Sequence, residues 1–341
     1  ARVDYDGTAS SLLVEPQRKN EVTYSSDFTQ WGNARTTDTA NQTISPDGSV
    51  NATYLEQNTG ETNAGSVYAV VTLIAADYSL SIFAKKKEKD FIVAYDSNAN
   101  RTYFNISNGT LGNNGSGGTS KIEDYGNGWY RCSVSYTESS AASTNIAWYL
   151  GDTNGSTTVT DSGGVYIYGC QVEEGSYATS YIPTDGGTVT RVQDQYSKTG
   201  ISNLINSEEG VLFVEMAALS DDLTDRRISL NDGSVSNQII IGYSRFTGNI
   251  IAEIFSGGSL QNVNWGATGV TQTDNNKFAL SWGSGTMKIY INGSPTNTET
   301  GVTSPVGLNN LEFSIGDDTM NMFGKVKKLQ VFKTALTNSE L

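Results

Sequence analysis

Histidine does not occur anywhere in this 341-residue sequence. That absence removes in one step the Ser-His-Asp and Cys-His nucleophile systems, His-ligated zinc sites and the HExxH metalloprotease motif. Long apolar runs are missing too. The longest, Ala69 to Ala76, is interrupted by Thr72 and falls far short of the roughly 20 residues that span a bilayer. Positive charge is scarce: 22 Lys+Arg face 36 Asp+Glu, a formal net charge of −14, and the longest basic run is Lys85-Lys86-Lys87. Such a chain carries no electrostatic footprint for a phosphate backbone or an anionic lipid surface, so neither nucleic acid nor membrane insertion is expected. Ala1 is preceded by no Met and followed by no charged-then-apolar leader, as expected of a mature chain or of a piece cut from a longer one.

Helical periodicity is also lacking. No segment holds a 3.6-residue apolar repeat over a dozen residues, and the one helical turn expected lies near Thr337-Asn338-Ser339-Glu340. What the sequence does contain is 36 Gly and 18 Tyr against five Pro, a balance that favours many strands joined by turns. Short apolar runs alternate with Ser45-Pro46-Asp47-Gly48, Asp96-Ser97-Asn98-Ala99-Asn100, Asn113-Asn114-Gly115 and Gly126-Asn127-Gly128. In Lys277-Phe278-Ala279-Leu280-Ser281-Trp282 the alternation places Phe278, Leu280 and Trp282 on one face of a half-buried strand. The expected fold class is all-β, two tandem antiparallel β-sandwiches. Residues 1–19 read as a hairpin arm, 20–184 as the first sandwich, 185–206 as a polar linker and 207–341 as the second sandwich. Cys132 and Cys170 both fall in strand-like stretches, so they form either one inter-strand disulfide or two buried thiols.

Four separated motifs mark the first sandwich. Asn20 leads into Asp27-Phe28-x-x-Trp31. Next come Ser45-Pro46-Asp47-Gly48 and Tyr125-Gly126-Asn127-Gly128-Trp129-Tyr130-Arg131, and Val165-Tyr166-Ile167-Tyr168-Gly169-Cys170-Gln171-Val172-Glu173-Glu174-Gly175 closes the module. In this order they resemble a β-sandwich module of phage head-fibre and tail-fibre proteins and of some marine bacterial surface proteins. The first and last motifs also look like jelly-roll carbohydrate-binding modules. The second sandwich carries Ile289-Tyr290-Ile291-Asn292-Gly293 and Phe323-Gly324-Lys325-Val326-Lys327-Lys328-Leu329-Gln330-Val331-Phe332. It is similar to the laminin G-like, concanavalin A-like family, in which a Tyr-x-Asn-Gly hairpin and such a final strand recur. Many members of that family hold an acidic pair in the last strand where this chain has Lys327 and Lys328. In jelly-roll modules a structural calcium often joins the first and last strands, which implies Asp27 with Glu173 or Glu174 as ligands.

Concanavalin A-like sheets also host glycosidases, whose paired carboxylates project from one strand about 5 Å apart. The spacing that would do this is absent. Glu173-Glu174 and Glu208-Glu209 are adjacent, so in a strand they point to opposite faces. No catalytic residues are assigned, and the expectation is a non-enzyme. Loop carboxylates at Asp317-Asp318, and at Asp221-Asp222 with Asp225, supply hard oxygen ligands of the kind calcium takes. Asp27, Glu173, Asp317 and Asp318 are therefore the metal candidates, although loop Asp residues more often cap turns.

Glycan recognition needs aromatic faces for stacking and polar groups beside them. Tyr95, Arg101, Tyr103, Trp148 and Tyr149 lie on strands of the first sandwich near Asp96, Asn98 and Asn105, and Trp265 sits in a polar stretch of the second. Trp129 and Trp282 read as core. The expectation is a non-catalytic binding protein, extracellular or on a virion surface, that recognises cell-surface or extracellular polysaccharide. The alternatives are a structural virion or filament subunit that self-associates, and a binding appendage of a polysaccharide-degrading enzyme.

Overall fold

The computed structural model describes residues 2–6, 9–246, 248–267 and 269–336, with the backbone alone for 5–6, 9 and 262–267. The fold is all-β. Among the described residues the single helical element is a 3-10 turn, Phe28–Gln30. The turn expected near Thr337 lies outside them. The chain divides into two compact units, and the division is not the tandem one expected: one unit is residues 17–192, and the other joins residues 1–16 to residues 193–341.

The 17–192 unit is a sandwich of two six-stranded antiparallel sheets. One runs in the order Thr110–Asn114, Arg101–Asn105, Phe91–Tyr95, Ala142–Gly151, Ser66–Leu73, Gly32–Ala34. The other runs Ser120–Asp124, Trp129–Glu138, Ala76–Lys86, Gly163–Glu174, Val50–Gln57, Thr36–Ile44. Alternate residues of each strand face inward, as a sandwich requires. Ile92, Ala94, Phe104, Ile146, Trp148 and Leu150 from the first sheet meet Leu80, Ile82, Cys132, Val165, Ile167 and Cys170 from the second. Where the chain enters and leaves this unit, Arg18–Asn20 pairs with Val189–Arg191.

Both cysteines are free and buried. Burial raises both thiol pKa values, that of Cys170 to about 12 even though the Trp148 indole N–H and a backbone N–H favour its thiolate. They behave as small core side chains.

The other unit packs a seven-stranded sheet on a six-stranded one. The seven strands are Arg2–Asp6, Ala9–Val14, Gly324–Phe332, Gly210–Ala218, Asn276–Gly283, Thr286–Ile291 and Ser294–Thr300. The six are Ser197–Lys198, Asn310–Glu312, Arg226–Asn231, Gln238–Tyr243, Asn249–Ser256 and Ser259–Ala267. Phe278, Leu280 and Trp282 lie together in its core with Leu212, Val214, Ile228, Ile239 and Ile254. Asn292 and Gly293, at φ 51° and 81°, form the two-residue hairpin turn that needs a left-handed conformation at both positions.

The N-terminal hairpin is thus no free arm. Leu12 pairs with Val326 in the last strand, and Arg2 bonds the carboxylates of Glu15 and Asp194. The stretch read as a linker also has fixed places. Ser197 pairs with Glu312, and Ile201 and Ile205 are core residues. Apolar patterning could not show this, because the partner strands are distant in sequence.

Candidate functional site

The outer face of the sheet containing Phe91–Tyr95 carries the candidate site. Its composition follows from strand alternation. With Ile92 and Ala94 turned into the core, Phe91, Val93 and Tyr95 must face outward. By the same rule Phe104 sends Arg101, Tyr103 and Asn105 outward, and Trp148 sends Ala147 and Tyr149 outward.

Register then aligns these side chains in rows. Arg101 is opposite Tyr95, Tyr95 opposite Ala147, Ala147 opposite Tyr68 and Tyr68 opposite Gly32. In the next row Tyr103, Val93, Tyr149 and Ser66 are neighbours.

Tyr95, Tyr149, Tyr68 and Arg101 are half-buried. The Tyr95 and Tyr149 ring centroids are 5.6 Å apart in an edge-to-face arrangement. The Arg101 guanidinium lies 5.2 Å from the first centroid and 5.3 Å from the second, within cation–π range. Gly32 leaves room for the Tyr68 ring, which a side chain at that position would strike.

One end of this face is roofed. The Asn113 backbone N–H donates to the Asn154 side-chain oxygen at 2.8 Å, and the Asn154 amide donates back to Asn113 at 3.2 Å. Gly112 permits the approach, since a Cβ there would run into Asn154 and Tyr103. Lys89, 2% exposed, anchors the 152–161 loop by ion pairs to Asp152 at 2.6 Å and to Asp161. Burial works against its charge, but hydrogen bonds to both carboxylates outweigh it and raise the ammonium pKa. Tyr103 is 4% exposed and packs with Phe91 and Val93. Burial raises its hydroxyl pKa, partly offset by the Arg101 charge.

The structure therefore brings together Tyr95, Arg101 and Tyr149 and withdraws two of the expected residues. Trp148 is fully buried, its indole N–H donating to Cys170 Sγ at 3.3 Å. It cannot stack on a ligand. Adjacent strand residues face opposite ways, so only one of Trp148 and Tyr149 could be at the surface. The apolar series Ile146, Trp148, Leu150 already chose. Tyr103 packs beneath the site rather than in it. Tyr68 and Ala147 were missed, and only cross-strand register reveals them. Trp265 lies on the strand Ser259–Ala267, opposite Ile251 in register, and its side chain is outside the described residues.

The metal candidates have other occupations. Asp27 is exposed and accepts from the backbone N–H and hydroxyl of Thr29 as the cap of the 3-10 turn. Glu173 is fully buried and accepts from the Thr179 N–H, the Thr179 hydroxyl and the Gln171 amide, with Arg18 Nε 3.9 Å away. Its lone pairs are used, and the donors around it are not those of a cation cage. Asp317 accepts from the N–H and hydroxyl of Thr319, and Asp318 occupies a left-handed turn position at φ 61°. Asp222 pairs with Arg226 at 2.5 Å, and Asp225 accepts from the Arg245 N–H. Among the described residues no group of three or more His, Cys, Asp or Glu is placed to hold a metal ion.

The second unit's six-stranded sheet has a different outer face. Arg227 and Glu253 form a buried ion pair at 2.9 Å. Ile315 from the 313–322 segment packs on Ile240 and Ile251 beside them. Burial raises the Glu253 pKa against the opposing pull of Arg227. A polar notch of about 400 Å³ opens elsewhere in this unit, lined in part by Asp274, Asn276 and Asn292. Asn276 donates there to Thr271 O and Asp274 O and accepts from Asn292. These amides hold the corner together.

No curated protein sequence matches the chain. Among solved structures it resembles the CBM40 module of a Ruminococcus gnavus IT-sialidase bound to α2,3-sialyllactose, at 16% identity and TM-score 0.35, over 40% of this chain and 82% of that one. Sheep galectin-11 in complex with glycerol gives 9% identity and TM-score 0.29 over 41% and 99% of the two chains. Domains LG4-5 of the mouse laminin α1 chain give 9% and 0.29 over 99% and 96%. Residues 213–341 match the concanavalin A-like lectin/glucanases superfamily, so the C-terminal part of the chain is a laminin G-like, concanavalin A-like domain.

Proposed function

We propose that this chain is a non-catalytic polysaccharide-binding protein that acts outside cells, on a cell or particle surface. The observation that carries the reading is the half-buried Tyr95–Tyr149 pair with Arg101 on one open sheet face. Ring faces on a rigid sheet lose little entropy on binding and suit the apolar faces of sugar rings, while the guanidinium and nearby amides supply direction. The buried carboxylates support a role without catalysis, since Glu173 and Glu253 are both committed to structural partners. The placement on a phage fibre or comparable surface rests on the ordered motifs between Asn20 and Gly175.

The test is a glycan array and calorimetry on the wild type and on Tyr149→Ala. Tyr149 faces away from the main core, so its loss should leave a folded protein and weaken binding about tenfold, the weight of roughly 1.4 kcal/mol of stacking. Equal binding by both proteins would remove this face from the reading. A silent array would favour the structural-subunit alternative.

A further inference from the structure

We propose that the site on the Phe91–Tyr95 sheet selects acidic polysaccharides, with Arg101 as the residue that takes the sugar's carboxylate or sulfate oxyanion. This rests on the glycan-binding reading above and narrows it to a ligand class.

The argument begins with how arginines are used in the 17–192 unit. Arg18 lies 3.9 Å from Glu173 and donates to Gln17 O. Arg35 donates to Ala64 O, Arg131 to Ser81 and Thr179 O, and Arg191 to Ser180 O. Arg101 differs from all four. Among the described residues its side chain has no carboxylate in ion-pair range and no hydrogen-bond acceptor at all; its Nε is buried without a partner, as are those of Arg18, Arg131 and Arg191, whose other guanidinium nitrogens do find one. A half-buried guanidinium with no protein acceptor for any of its nitrogens gives up part of its hydration without return, and an arriving acceptor restores it. In a chain of net charge −14, leaving a guanidinium without a counter-charge is itself informative.

The geometry favours an external oxyanion. The two tyrosine centroids flank the guanidinium at 5.2 and 5.3 Å, and contact with rings leaves an arginine's N–H groups free to donate. Those groups form a planar fork that matches a carboxylate or a sulfate through paired hydrogen bonds. The sugar ring then rests on Tyr149 and Tyr95 while its acidic substituent meets Arg101. A neutral sugar would leave the fork unmatched.

The experiment compares wild type, Arg101→Gln and Arg101→Lys for binding to polygalacturonate, dextran sulfate and unmodified dextran, by affinity electrophoresis and calorimetry near physiological salt. Far-UV circular dichroism verifies the fold of each variant. The expected result is binding to an acidic polymer and not to dextran. Arg101→Gln should lower that affinity roughly tenfold or more, as for a lost hydrogen bond to a charged group, and Arg101→Lys should restore part of it by keeping charge without the fork. The polygalacturonate and dextran sulfate arms separate carboxylate from sulfate. Acidic polymers bound equally by wild type and Arg101→Gln, or dextran bound as well as they are, would overturn the acidic class and leave glycan binding standing. If the wild type bound no member of a broad glycan array either, both readings would fall.

Discussion

Each unit places an arginine on the outer face of a six-stranded sheet, and the two are treated in opposite ways. Arg227 is 8% exposed, meets Glu253 at 2.9 Å and lies on a face packed by Ile315. Arg101 is half-buried, flanked by two tyrosines and, among the described residues, given no carboxylate. A charge that is buried needs a partner inside the protein. Arg101 stands at an open face, where an external anion can fill that role. The difference separates a face closed for stability from one that, on the proposed reading, is kept open for a ligand.

The comparison can be broken most forcibly at Glu253. Glu253→Ala strands the Arg227 charge and should cost about 3–5 kcal/mol in denaturant unfolding of that unit. The double replacement Arg227→Met/Glu253→Leu should restore stability to within about 1 kcal/mol of wild type or exceed it. A double variant as weak as the single one would mean that the pair does more than satisfy itself.

A smaller effect follows from converting the open face into the closed kind. Tyr95 is directly opposite Arg101, so Tyr95→Glu supplies the missing carboxylate. Folding stability should shift by no more than about 1 kcal/mol, as for an exposed pair. Affinity for acidic polysaccharide should fall well below that of Tyr95→Gln, which removes the ring without adding charge. Similar affinities for the two variants would place the loss in the ring and not in the neutralised guanidinium.

The gentlest test uses pH. The raised pKa of Glu253 means that the folded unit holds its proton more tightly than the unfolded chain does. Its contribution is fully present below the ordinary glutamate value and is lost as pH rises through the raised one. Asp47 in the other unit behaves oppositely. Burial disfavours its charge, but hydrogen bonds from Asn51, the Ser49 N–H, Tyr168 and Ser45 prevail and hold its pKa well below the carboxylate range. That contribution is present above the ordinary aspartate value and is lost as pH falls through the lowered one. Calorimetric melting between pH 3 and 7 should therefore show Asp47→Asn flattening the acid-side loss in the 17–192 unit. Glu253→Gln should remove a dependence of opposite sign from the other unit, and matching changes would refute the assignment.

Much of this was legible in the sequence where the information is local. Strand alternation in Lys277–Trp282 gave the core face and the strand-and-turn texture gave the all-β class, while the hairpin at Asn292-Gly293 came from the family resemblance. Tyr95 and Arg101 were found because both stand at strand ends beside a polar turn. Trp148 was misplaced because aromatic character outweighed the period-two rule that its neighbours Ile146 and Leu150 already obeyed. The carboxylates at Asp27, Glu173 and Asp317 looked like ligands because composition does not record the Thr29, Thr179 and Thr319 donors that occupy them. The largest miss was topological. Nothing near Leu12 announces Val326, because strand pairing is decided by faces and registers that only the assembled sheet defines.

That pairing dictates an order of assembly. The hairpin is synthesised before the 17–192 unit and its partner strand Gly324–Phe332 after it, so the sheet that joins them cannot close until that whole unit has been made. Meanwhile the 17–192 unit has every strand it needs, and the pairing of Arg18–Asn20 with Val189–Arg191 draws its two ends together. Once that has happened, the search that Leu12 must make for Val326 is shortened, because closure entropy depends on the free length remaining. The inserted sandwich thereby serves as a folded bridge across the gap it creates. A fragment starting at Gln193 would leave the Gly324–Phe332 strand as an unpaired edge, open to pairing with other chains.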